Sequence, residues 1–80
     1  MNLKVGRLYW DTETRTGAFV RFQDGSPDRD VYAGQVMDTV TCCAWVRTRL
    51  EKDSSGCWYL AGVYEPGELF PGIPVLVDCI

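Results

Sequence analysis

Eighty residues carrying a net charge of −3 make one small domain without the basic excess of a protein held to nucleic acid mainly through its phosphates. There is no His, which removes the commonest general base and the commonest neutral metal ligand. Apolar residues are 46% of the chain, enough to offset the entropy of ordering, so the composition excludes a disordered chain.

Periodicity is two nearly everywhere, and no segment keeps a helical pattern. Leu3–Trp10 alternates from Leu3 and reads as a first strand. Asp11–Thr16 is a polar turn, and Gly17–Phe22 alternates again. Gln23–Asp30 holds Asp-Gly and Ser-Pro, both turn signals. A third strand is expected over Asp38–Cys43, entered after Gly34, and a fourth over Ala44–Lys52. Asp53–Gly56 forms a bend in which Gly56 supplies a positive φ. A fifth strand lies in Cys57–Tyr64. Glu65–Gly72 is broken by Pro and Gly, with a short 3-10 turn near Leu69. Ile73–Cys79 is the last strand.

Short strands at this spacing predict an all-β fold. Two stacked sheets are cramped at this length. The expectation is one domain over residues 1–80, a small SH3-like β-barrel of five or six antiparallel strands with a short 3-10 turn before the last. Val5, Val20, Val46, Leu50, Val63 and Val75 are its expected core. So short a chain buries only about 60% of its unfolded surface. Three Trp, four Tyr and three Phe make a dense aromatic interior the compensation.

The four cysteines are Cys42, Cys43, Cys57 and Cys79, with no C-x-x-C spacing. Neither a zinc site nor a redox motif is built this way. They are expected as reduced thiols, packed as small apolar residues in the barrel wall, with one disulfide between neighbouring strands as the alternative. No signal-like segment opens the chain, and no run approaches the about 20 apolar residues that span a bilayer. The reading is a cytoplasmic protein without membrane contact, metal or cofactor.

A cysteine nucleophile needs a base, and without His none stands ready. Asp24, Asp28, Asp30, Glu51 and Asp53 fall in loops or at a hairpin end, where solvated acids are the rule. No Gly-rich phosphate loop opens a helix. The chain reads as a non-enzymatic binding module.

Its contact surface is sought in the hairpin of Ala44–Lys52 and Cys57–Tyr64. Trp45, Arg47, Arg49 and Glu51 point one way, and Val46, Thr48 and Leu50 the other. Arg49 and Glu51 are expected to find opposite charges across the pair. Trp45 beside Arg47 and Arg49 is an aromatic plane next to guanidinium groups, suited to an unidentified protein or peptide, or to a second copy in a homodimer. A tryptophan lid over a barrel end is the structural alternative. The nucleic-acid alternative needs Arg7, Arg21, Arg47 and Arg49 on one side of the barrel.

The stretch Trp45–Gly62 followed by Leu69–Val77 resembles a family of small bacterial proteins, mostly from Firmicutes and often near mobile elements. Trp45, Val46, Thr48, Arg49, Leu50 and Glu51 fit its W-[IV]-x-T-R-[IL]-E core. Trp58, Tyr59, Leu60 and Gly62 fit its W-Y-L-x-G, and Gly72 and Val75 its last strand. The resemblance implies a small SH3-like β-barrel of unknown function and carries over no catalytic residue; a protein partner would suit an acidic accessory protein of a mobile element. Cys42-Cys43 departs from the polar turn usual at that place.

Overall fold

Alternating side chains build seven strands in the computed structural model, which describes residues 3–11 and 17–78. They are β1 Leu3–Tyr9, β2 Ala18–Phe22, β3 Arg29–Val31, β4 Val36–Thr41, β5 Ala44–Lys52, β6 Trp58–Leu60 and β7 Ile73–Asp78. All pairings are antiparallel, in a single sheet ordered β3-β2-β1-β7-β4-β5-β6. The last strand fills the slot between β1 and β4. The sheet keeps two edges, β3 and β6, and no pairing between them closes it.

Curling brings one face of every strand into one core. Leu8, Val20, Leu50, Leu60, Val75 and Val77 are fully buried there, joined by Val31, Met37, Trp58 and Leu69. Each such aliphatic side chain is worth about 1.5–3 kcal/mol of burial. Thr39 and Thr48 share this interior and keep their hydroxyls satisfied, donating to Pro74 O and Ala61 O, each at 2.8 Å.

Seven strands stand where five or six were expected. The addition is β3, a three-residue strand at the end of the segment read as a turn. The expected strand Asp38–Cys43 is β4, ending at Thr41, because Cys42 and Cys43 form the two-residue turn of the β4–β5 hairpin. Cys42 takes φ 52°, the positive value that such tight hairpin turns demand. Both cysteines are exposed free thiols at a hairpin tip, not residues of a wall. Cys57 is half-buried, and Cys79 and the turn Thr12–Thr16 lie outside the described residues. Before β7, Glu68 N donates to Glu65 O at 2.9 Å, an isolated turn; no 3-10 helix is present among the described residues.

Val20, Leu50 and Val75 are core as expected, and Val63 is half-buried against it. Val5 and Val46 are corrections. Val5 is 39% exposed because β1 turns Gly6 and Leu8 inward and presents Leu3, Val5 and Arg7 to solvent. Val46 has the inward phase of Thr48 and Leu50 but is 37% exposed. β6 pairs only with Leu50, Glu51 and Lys52, so the first half of β5 projects past it.

Candidate functional site

β5 holds Trp45, Arg47 and Arg49 on its solvent face, all exposed and two residues apart, as the strand repeat requires. Across the ladder Trp45 stands opposite Val40, Arg47 opposite Asp38 and Arg49 opposite Val36. The ion pair belongs to Arg47, whose Nε donates to Asp38 Oδ1 at 2.6 Å. The charges expected opposite Arg49 and Glu51 are replaced by Val36 and Tyr59. Trp45 is 45% exposed and lies outside the core cluster.

The outward row runs on through Asp38 to Leu76 and from Leu76 to Val5. Beside it lies a cavity of about 180 Å³ bounded by Leu3, Val36, Asp38, Arg47, Leu76 and Asp78. With Leu3 and Val36 exposed, this face of the sheet is a shallow apolar floor with charged side chains standing on it.

The backbone of β5 is as informative as its side chains. Leu50 uses both of its backbone groups toward the β4 side: its N donates to Gln35 O, and its O accepts from Gly34 N. Even-numbered residues of β5 therefore face β4, and odd-numbered residues face the other way. Arg49 O accepts from Ala61 N at 3.0 Å, confirming that phase. Past Leu60 the chain leaves the sheet through a turn in which Gly62 has φ 77°. The N–H and C=O groups of Trp45 and Arg47 thus point along an open edge, with no strand against them among the described residues. An open edge bearing an exposed Trp is a template for another strand.

A second cluster lies on the outward face of β1 and β2. Tyr9 and Phe19 are ladder partners with stacked rings 5.7 Å apart, and the Arg21 guanidinium sits 5.6 Å from each ring. Arg21 is forked onto Asp28, at 3.3 and 3.1 Å, which raises its already high pKa through the hydrogen bond and the charge. Arg7 stands directly opposite Arg21 and donates to Gly72 O at 2.8 Å. Together with Val5, Tyr9 and Pro74 the two arginines border a cavity of about 220 Å³. The sequence held one sign of it: Arg7-x-Tyr9 is mirrored by Phe19-x-Arg21, the order an antiparallel pair needs to superpose them.

Arg7, Arg21, Arg47 and Arg49 are all exposed and outward. Carboxylates neutralise Arg21 and Arg47, and Asp24 takes Lys4 at 3.3 Å. Among the described residues no group of three potential metal ligands gathers, and no helix is long and apolar enough to cross a membrane. No protein-family model, curated protein or solved structure matches the chain.

Proposed function

We propose that this chain is a non-enzymatic protein-interaction module that takes an extended segment of its partner along β5. The observation that carries this reading is the open edge at Trp45 and Arg47, where unpaired backbone groups adjoin an exposed indole. Main-chain bonds to such an edge supply affinity, and alternate side chains supply selectivity. Trp and Arg are also the residues that dominate interface centres.

We further read the sheet as an SH3-like barrel. The meander β4-β5-β6, with the last strand returning between β1 and β4, supports this reading. In the same reading the chain is an accessory protein of a bacterial mobile element, acting in the cytoplasm.

The nucleic-acid reading has four outward arginines in its favour. The carboxylates on two of them and the net charge of −3 weigh against it.

The test is affinity capture from host extract with the wild-type chain and with Trp45→Ala/Arg47→Ala. A protein retained by the first and lost from the second supports the reading. Retention unchanged by the double substitution overturns it. Tight heparin binding at low salt, lost in Arg7→Ala/Arg21→Ala, would favour nucleic acid instead.

A further inference from the structure

We propose that the strand received by β5 is the β5 of a second copy, paired antiparallel about a twofold axis at Val46. This rests on β5 being the contact strand and names its occupant.

The open stretch is short and bounded. Thr41 and Ala44 close the hairpin turn at one end, and Ala61 N occupies Arg49 O at the other. Between them only Trp45 and Arg47 aim backbone groups at the edge. Two copies satisfy all of these groups in one register, with Trp45 opposite Arg47 of the second copy and Arg47 opposite its Trp45. Each is a closely spaced pair exchanging both bonds. Shifting the register one way brings Trp45 onto Arg49, whose carbonyl is already taken. Shifting it the other way sets Arg47 against the turn residue Cys43, leaving only Trp45 on Trp45 within the open stretch. At its two ends the favoured pairing is limited by small residues, Ala61 of one copy approaching the Cys43 turn of the other.

Side chains agree with the backbone in this register. Trp45 and Arg47 share the outward face, so each indole meets the guanidinium of the other copy across the strands. Arg47 is suited to this, since its Nε is fixed by Asp38 while the side chain stays 66% exposed. On the opposite face Val46 meets Val46 at the axis, in a non-hydrogen-bonded pair, where side chains approach closest. This covers the one inward-phased valine that β6 leaves bare. The same patch serves both partners, as a twofold interface requires.

Cross-linking tests the register. In a chain whose cysteines are replaced (glycine at position 42, serine elsewhere), single cysteines are placed by Val46→Cys or Ala44→Cys and oxidised with diamide. Val46→Cys is expected to give the disulfide-linked dimer. Ala44→Cys, whose counterpart lies four residues along the ladder, is expected to stay monomeric. Sedimentation of the wild type at about 1 mM, the range of a weak contact, is expected to show dimer. Arg47→Pro, which deletes an edge-facing N–H and spares the β4 ladder, is expected to abolish it. A wild type that sediments as monomer, or cross-linking at position 44 that equals that at 46, overturns the proposal. If the wild type is monomeric while Trp45→Ala/Arg47→Ala still loses a captured protein, the second copy is wrong and the interaction module stands. If neither assay responds to β5, both fail.

Discussion

Gly6, opposite Phe22 in the β1–β2 ladder, lies so close to its diagonal neighbour Val20 that a methyl group on Gly6 would be 2.6 Å from Val20 Cγ1 and 2.8 Å from Arg21 O. Both neighbours are fixed, one a fully buried side chain and the other backbone. Gly6→Ala must push the two strands apart or rotate Val20. Overpacking of this kind costs about 1–3 kcal/mol. At about 4–8 °C per kcal/mol for a domain this size, the thermal midpoint should fall visibly, as calorimetry can record. An unchanged midpoint would mean that β1 and β2 sit further apart than described.

Thr39 buries its hydroxyl completely and spends it on Pro74 O. Thr39→Val preserves shape and deletes the donor. The cost expected for a buried acceptor left wanting is about 1–3 kcal/mol. Thr39→Ser keeps the bond and loses a methyl, so it should respond differently to the same denaturant titration. Equal stability of Thr39→Val and wild type would show that the bond contributes nothing.

The strain at Cys42 gives a prediction of the opposite sign. A side chain at φ 52° is disfavoured by about 1–2 kcal/mol unless it is Gly, Asn or Asp. Cys42→Asn should hold or raise the thermal midpoint, and the β-branched Cys42→Val should lower it. A lower midpoint for Cys42→Asn would argue against a left-handed residue at this turn.

Asp24 is the acid to follow with pH. Hydrogen bonds from Ser26, through its hydroxyl and its backbone N–H, bring the carboxyl down to about 2, with a smaller pull from Lys4. Its unfolded value is near 3.9. Above that value the group is ionised in both states and its contribution is fully present. As the pH falls from about 4 toward 2 the unfolded chain takes the proton first, and the contribution is lost. Carboxyl NMR should place the Asp24 midpoint near 2, and Ser26→Ala should return it toward the ordinary range. A wild-type midpoint near 4 would remove the Ser26 contact.

Trp45→Ala/Arg47→Ala should leave the fold nearly as stable as before, since neither side chain belongs to the core. Exposed substitutions usually stay within about 0.5 kcal/mol, a shift of about 2–4 °C here. A loss of 10 °C or more on melting would make Trp45 a structural residue after all.

The outward set Trp45, Arg47 and Arg49 was readable because a strand's repeat fixes which residues share a face, whatever lies beyond the strand. Burial is not local in that way. Leu3–Trp10 carries apolar residues on both faces, Leu3 and Val5 against Leu8 and Trp10, so alternation alone cannot say which goes inside. The deciding fact is the closeness of Val20 to Gly6, set by another strand. Val46 has the phase its neighbours announce, yet its exposure depends on where β6 stops. The open edge depends on the same endpoint, so it too was hidden. β3 was hidden by its composition, two charged residues following Ser-Pro-Asp. The cluster of Tyr9, Phe19 and Arg21 required the register between β1 and β2.

The central position of β7 has a consequence for how the chain reaches its native state. Strands β1 and β4 meet only through β7, which follows both of them in the chain and so leaves the ribosome after them. Until Ile73–Asp78 emerges, the nascent chain is two separate antiparallel pieces, β1-β2-β3 and β4-β5-β6, each with a bare inner edge. Each piece is at the three-stranded minimum for independent stability, and its apolar face stays uncovered until the two join. Joining them closes a loop of most of the chain, the slow kind of step in folding. Assembly is therefore expected as an all-or-none event that waits for β7, the piece whose loss separates the sheet into halves.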